Sequence, residues 1–269
     1  MMMRRMWRWW TAVFLGAVMF LPACSRKETE VHPTLYIAAA ADLKFAMDDM
    51  IEQFEEQHPG RNVEVTYGSS GNFYAQLMNQ APFDIYFSAD LMYPKQLIEA
   101  GVAEADTLFH YAVGRIVIWT PRDSPIDVRE NGISSLFHPS VAKIAIANPR
   151  HAPYGVAAEA ALRAYGVYHP IQAKLVLGEN IAQAAQFIES GAAQIGVIAL
   201  PLAIAPALME KGVYWEIPLD RYPRMDQGGV ILPWAKDPEF TRAFRDFVLG
   251  EHGRAVLKRY GFFMPEDER

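Results

Sequence analysis

Apolar residues along this chain switch repeatedly between two spacings, and the switching predicts the architecture. Val63-Glu-Val-Thr-Tyr67 alternates apolar and polar positions, the period of a half-buried strand. Phe73, Leu77 and Met78 then recur at helical spacing. Upstream, Thr34-Leu-Tyr-Ile-Ala-Ala-Ala-Ala41 reads as a buried strand, and Leu43, Met47, Met50, Ile51 and Phe54 share one helical face. Phe83-Asp-Ile-Tyr-Phe87 is a third strand, turned by Ser88-Ala-Asp90 into a helix carrying Leu97 and Ile98. Strands and helices joined by short turns predict a parallel sheet covered by helices.

The same scheme returns downstream. Tyr111 to Thr120 reads as one long apolar strand ended by Pro121, and Ser124 to Phe137 as an irregular connection. Val141 to Asn148 is a strand leading to a helix over Val156 to Tyr165. Lys174 to Leu177 and Gln194 to Leu200 are strands around a helix that carries Ile181, Ala185 and Ile188. Tyr214 to Pro218 and Gly228 to Leu232 follow, and Asp237 opens what reads as the last helix. The expected class is therefore α/β: two lobes, each an open, mainly parallel sheet flanked by helices. Ligands of such sheets sit beyond the carboxyl ends of the strands. Ala41, Ser70, Tyr154 and Ile181 each lie just past a strand end, so four similar turns can converge on one cleft.

The turn Gly68-Ser-Ser-Gly-Asn72 carries the most chemistry. Its glycines permit close backbone approach, and Ser69, Ser70 and Asn72 are good helix N-cap types. Such a turn aims free N–H groups, hydroxyls and the positive end of a helix dipole at one point, which suits an anion. A capped helix start that binds nothing is the plain alternative.

Composition narrows the partners. The chain has 269 residues, 51% of them hydrophobic, enough for one large core or two smaller ones. A net charge of −6 argues against a nucleic-acid surface. Arg4, Arg5 and Arg8, a short apolar run over Thr11 to Leu21, and Leu21-Pro-Ala-Cys24 form a secretory signal over residues 1–24. The run falls short of the roughly 20 residues that span a bilayer. Its end resembles a bacterial lipobox, which implies lipidation at Cys24. A plain signal peptide with an incidental cysteine is the alternative. Residues 25–33 read as a tether. Cys24 is the only cysteine, so no disulfide or cysteine-based metal site is expected.

With these residues in view, the chain resembles the periplasmic molybdate-binding proteins of molybdate ABC transporters, the ModA family. The resemblance covers Thr34 to Phe263. It rests on Ala38-Ala-Ala-Ala-Asp-Leu43, Gly68-Ser-Ser-Gly-Asn72, Ala81-Pro-Phe-Asp-Ile-Tyr-Phe-Ser-Ala-Asp90, Asn148-Pro-Arg-His-Ala-Pro-Tyr-Gly155 and Gln194-Ile-Gly-Val-Ile198. It implies the two-lobed type II periplasmic binding-protein fold, with residues 34–114 and 219–269 in lobe 1 and 115–218 in lobe 2. It implies a tetrahedral oxyanion held between the lobes by backbone amides and uncharged hydroxyls, with molybdate or tungstate as ligand and no cofactor.

The matching positions are the Ala41–Asp42 turn, Ser70, Tyr154 and Ile181. These would touch the oxygens of the oxyanion and would not ligate its metal directly. The implied partners are an ABC permease and its ATPase. A monomer anchored to the membrane by lipid and without nucleic acid is expected. Two positions depart from the family: Ala41 stands where many members carry serine, and Ala199 where some carry tyrosine. Tyr154 is a candidate to replace the second hydroxyl. Asp42 is expected to cap its own helix through the N–H near Phe45; a cleft-facing carboxylate able to accept a proton from phosphate is the alternative.

Two other classes compete. A hydrolase would use Ser69 or Ser70 with His151, yet Gly-Ser-Ser-Gly is one residue short of the Gly-x-Ser-x-Gly nucleophile elbow. A Ser–His separation beyond hydrogen-bond reach would dismiss it. Binding of a sugar or metal ion would need aromatic platforms or clustered ligands. Trp119, Trp215 and Trp234 read as core instead, and His110, His138, His151 and His169 are scattered. Arg115 and Arg150 read as hinge or surface contacts.

Overall fold

The computed structural model describes residues 32–267. The signal segment, Cys24 and residues 25–31 of the expected tether lie outside the described residues. The chain opens with β1 (Leu35–Ala40), a 3₁₀ turn (Ala41–Leu43), α1 (Lys44–Gln57), β2 (Val63–Gly68), α2 (Ser70–Leu77), β3 (Ile85–Ser88), α3 (Met92–Glu99) and β4 (Phe109–Gly114). It then crosses to β5 (Ile116–Pro121), α4 (Val128–Asn131), β6 (Ile144–Ala147), α5 (Pro153–Ala164), α6 (Tyr168–Ile171), β7 (Leu175–Gly178) and α7 (Ile181–Glu189). β8 (Ile195–Ala199), α8 (Leu200–Ile204), α9 (Pro206–Met209) and β9 (Gly212–Glu216) complete that half. The chain returns through β10 (Met225–Ile231) and ends with α10 (Pro238–Leu249) and α11 (Glu251–Arg259).

The strands form two five-stranded sheets, ordered β2-β1-β3-β10-β4 and β7-β6-β8-β5-β9. In the first, β1 pairs parallel with β2 and β3, and β10 runs antiparallel to both β3 and β4. In the second, β6 pairs parallel with β7 and β8, and β5 runs antiparallel to both β8 and β9. Each sheet thus has a single reversed strand, and that strand is the one arriving from the other sheet. We call each sheet with its helices a lobe.

The apolar run Tyr111 to Thr120 is a correction: it is two strands, not one. Val113 pairs in the first sheet and Val117 in the second. Hydrophobic period alone cannot show the change, because both halves are buried. Gly114 marks it. A Cβ there would lie 2.6 Å from both Gln227 Nε2 and Tyr154 Oη, so only glycine leaves room for the polar cluster described below. Two further corrections are local. The connection from Ser124 to Phe137 contains α4, capped by the Asp127 carboxylate accepting from Arg129 and Glu130 amides. The helix opened by Asp237 is not the last. α11 follows it, with a mainly polar sequence that buries Gly253, Val256 and Leu257.

Each lobe has its own apolar filling. Under the first sheet, Phe54 of α1 meets Phe244 of α10 edge to face at 5.1 Å between ring centroids. Phe73, Leu77 and Leu97 cover the opposite face. In the second lobe Trp119, Ile118 and Ala158 are almost wholly buried. Each full burial of a large apolar side chain contributes about 1.5–3 kcal/mol. Trp119 is therefore core, not a platform for a sugar ring.

Candidate functional site

The first turns after β1, β2, β6 and β7 meet between the lobes. Ala41 and Asp42, Ser69 and Ser70, Pro153 and Tyr154, and Asn180 and Ile181 line one cavity, which holds about 190 Å3 of space outside protein atoms. All five residues picked from sequence, Ala41, Asp42, Ser70, Tyr154 and Ile181, stand on this wall. Among the described residues no lysine, arginine or histidine lines it. Arg115 pairs instead with Glu216 at 2.6 Å and lies over the Phe263 ring, at the crossing between lobes. Arg150 is exposed.

The donors at this wall follow from helix geometry. The first N–H groups of a helix have no intrahelical acceptor. Ser70 and Ile181 are the first residues of α2 and α7, and Pro153, which has no N–H, makes Tyr154 the first donor of α5. Asn180 caps α7 by accepting from the Gln183 amide at 3.0 Å, which leaves the Ile181 amide to the cavity. The Ser70 hydroxyl oxygen accepts from the Ala89 amide at 3.0 Å. Its own hydrogen therefore remains available to a ligand. The Ser70 carbonyl accepts from Tyr86 Oη at 2.8 Å, which fixes the turn. Three helix dipoles add positive potential at the same point.

Asp42 corrects an expectation. Neither the 3₁₀ turn nor α1 has a side-chain cap. Its carboxylate, 1% exposed, instead accepts at Oδ2 from Tyr154 Oη (2.9 Å) and Gln227 Nε2 (2.8 Å). Burial raises its pKa to about 6, against the opposing pull of the Gln227 and Tyr154 hydrogen bonds and of the nearby Asp42 and Leu43 amides. Tyr154 is pushed well above the usual phenol range, first by burial and then by the Asp42 charge. Its hydroxyl hydrogen is committed to Asp42, so it does not serve as the replacement hydroxyl donor expected of it. Tyr154 faces the cavity through its amide.

Ser69 is a second correction. It occupies the N-cap position of α2 without a side-chain cap bond. Its Oγ lies 2.9 Å from His151 Nδ1, across the cleft. The Ser–His separation expected to dismiss a hydrolase is thus within reach. Glu179 Oε2 lies 3.9 Å from His151 Nε2, too far for a hydrogen bond, and Glu179 Oε1 accepts from Asn72 instead. Gly71 donates its amide to the His151 carbonyl at 2.8 Å. Together these contacts tie the start of α2 to the opposite lobe.

Residues 35–263 match the family described as bacterial extracellular solute-binding protein. The chain is 35% identical to the molybdate-binding protein ModA of Azotobacter vinelandii over 250 residues, 93% of this chain and 95% of the relative. It is 31% identical to the molybdate-binding protein ModA of Rhodobacter capsulatus, with 94% of each covered. The solved periplasmic molybdate-binding protein of Azotobacter vinelandii superposes with a TM-score of 0.80 at 30% identity, over 86% of this chain and 100% of that one. The chain belongs to the ModA family. Its relatives are solute-binding proteins, which weighs against reading the Ser69–His151 pair as catalytic. One residue of this ModA chain escaped the sequence reading, Gln227, whereas His151 was weighed there only as a hydrolase partner of Ser69 or Ser70. Gln227 had one signal: it is a polar residue beside Gly228-Gly-Val-Ile231 and is fully buried.

Proposed function

We propose that the protein captures molybdate or tungstate between its lobes, outside the cytoplasm, and delivers it to an ABC permease driven by an ATPase. One observation carries this reading: four turns, two per lobe, meet on a small cavity without a basic side chain among the described residues, and they bring the helix-start amides of Ser70, Tyr154 and Ile181 and the free hydrogen of the Ser70 hydroxyl to it. A buried dianion is costly unless its oxygens are hydrogen-bonded. Amides and hydroxyls meet that need without burying a full counter-charge. Ala41, Asp42, Ser70, Tyr154 and Ile181 are the proposed contacts, and no cofactor takes part. The lobes, 34–114 with 219–269 and 115–218, swing about the two crossings, and the ligand favours the closed arrangement by touching both.

Calorimetric titration of the mature chain with molybdate, tungstate, sulfate and phosphate tests the reading. Molybdate and tungstate are expected to bind well above the other two, because their longer metal–oxygen bonds spread the oxygens toward donors on both lobes. A second reading, phosphate, has one observation in its favour: Asp42 lines the cavity and is able to accept a proton. Phosphate binding equal to or tighter than molybdate would select it.

We further propose that the chain is a monomer anchored through lipid on Cys24. Mass spectrometry of the mature N-terminus should find a diacylated Cys24. An unmodified terminus at another residue would remove the anchor. Among the described residues no helix is long and apolar enough to cross a membrane.

A further inference from the structure

Among the described residues Asp42 is the only carboxylate on the wall of a cavity proposed to hold an anion. Its two oxygens are not equivalent. Oδ2 accepts from both Tyr154 Oη and Gln227 Nε2, and these two partners are themselves 3.0 Å apart. Oδ1 is buried and has no hydrogen-bond partner among the described residues. The groups facing Asp42 are Tyr154 from α5, Gln227 from β10 and Tyr111 from β4. Ser69 and Ser70 of α2 share its cavity. All are uncharged at neutral pH, so hydrogen bonds and helix dipoles, but no full positive charge among these groups, oppose the carboxylate's charge. A dianion brought into the same cavity would repel it directly.

We propose that Asp42 takes up one proton from solvent when the oxyanion binds, and that the resulting Oδ1–H is one of the donors to that anion. The inference rests on the oxyanion reading above. The proton goes to Oδ1 because Oδ2 already accepts two donors. No bond of the oxyanion is made or broken. Burial already holds Asp42 near neutrality in the free protein, at about 6. The proton therefore costs little at physiological pH.

The sign follows from linkage. Below pH 6 the free protein already carries the proton, so affinity is flat. Above pH 6 each bound anion must bring a proton in, and affinity falls by up to about tenfold per pH unit. Above the bound-state pKa it levels off again.

The test is calorimetry of the folded mature chain with molybdate at pH 7.5, in buffers of different ionisation enthalpy. The dependence of apparent enthalpy on buffer counts protons. We expect uptake of about one proton per molybdate. Asp42→Asn keeps the shape, lets the amide oxygen accept from Tyr154 and Gln227, and puts an N–H where Oδ1–H would be. It is expected to bind without proton uptake, with affinity flat in pH and at least tenfold tighter than the parent at pH 8. Parent binding without proton uptake would overturn the inference while leaving the oxyanion site standing. Equal uptake in parent and Asp42→Asn would overturn it in favour of another group. Failure of the parent to bind either molybdate or tungstate would overturn the oxyanion reading, and this inference with it.

Discussion

Gly71→Ala should hold the lobes apart and weaken oxyanion binding by about tenfold to a hundredfold without harming the fold. In the closed arrangement a Cβ at this position would lie 2.7 Å from the His151 carbonyl oxygen and 2.8 Å from Tyr93 Oη. Backbone on the opposite lobe cannot step aside without opening the cleft. Overpacking of this kind costs about 1–3 kcal/mol, and each 1.4 kcal/mol is about a factor of ten in affinity. The same methyl also strains the bond from the Gly71 amide to the His151 carbonyl. Away from the cleft, alanine is a better helix former than glycine, so chain stability should hold or rise. Calorimetry gives the affinity, urea unfolding the stability, and small-angle scattering the compaction on adding molybdate. A variant that binds and compacts like the parent would show that α2 does not need to approach His151 so closely.

Ser70→Ala should cost a similar factor for a different reason. Alanine keeps the amide and the helix start and removes one hydroxyl. That hydroxyl accepts from Ala89 and has its hydrogen free. A hydrogen bond to a charged group contributes roughly 1.5–3 kcal/mol, hence about ten- to a hundredfold in affinity. Ser69→Ala is the comparison. Its hydroxyl faces His151, so its loss should loosen closure and weaken every oxyanion alike. Ser70→Ala binding molybdate like the parent, with Ser69→Ala losing it, would shift the donor by one residue along the turn.

The strand–turn–helix rhythm was legible because each lobe repeats it with clean periods. Val63 to Tyr67 alternates, Leu43 to Phe54 keeps a helical face, and both became the expected elements. Three of the four turns were legible because helix starts announce themselves by Ser, Asn and Pro, at Ser69, Asn180 and Pro153. What sequence could not show were choices made by distant partners. Asp42 looked like a cap because Asp favours that position. Gln227, 185 residues away, and Tyr154, 112 residues away, draw its carboxylate elsewhere. Ser69 likewise looked like a cap, and His151 claims it from the other lobe. The change of sheet at Gly114 was hidden inside an unbroken apolar run. For Asp42 and Ser69 local propensity was sound, and a partner distant in the chain outweighed it.

The central claim is that both lobes donate to one oxyanion in the cavity between them. Anomalous diffraction from crystals grown with molybdate tests it most directly, because molybdenum identifies itself. The account predicts a single molybdenum peak in the cavity lined by Ala41, Ser70, Tyr154 and Ile181. Its oxygens should lie within hydrogen-bond distance of Ser70 Oγ and the Ile181 amide. A molybdenum peak held by one lobe alone, or lying outside this cavity, would contradict it.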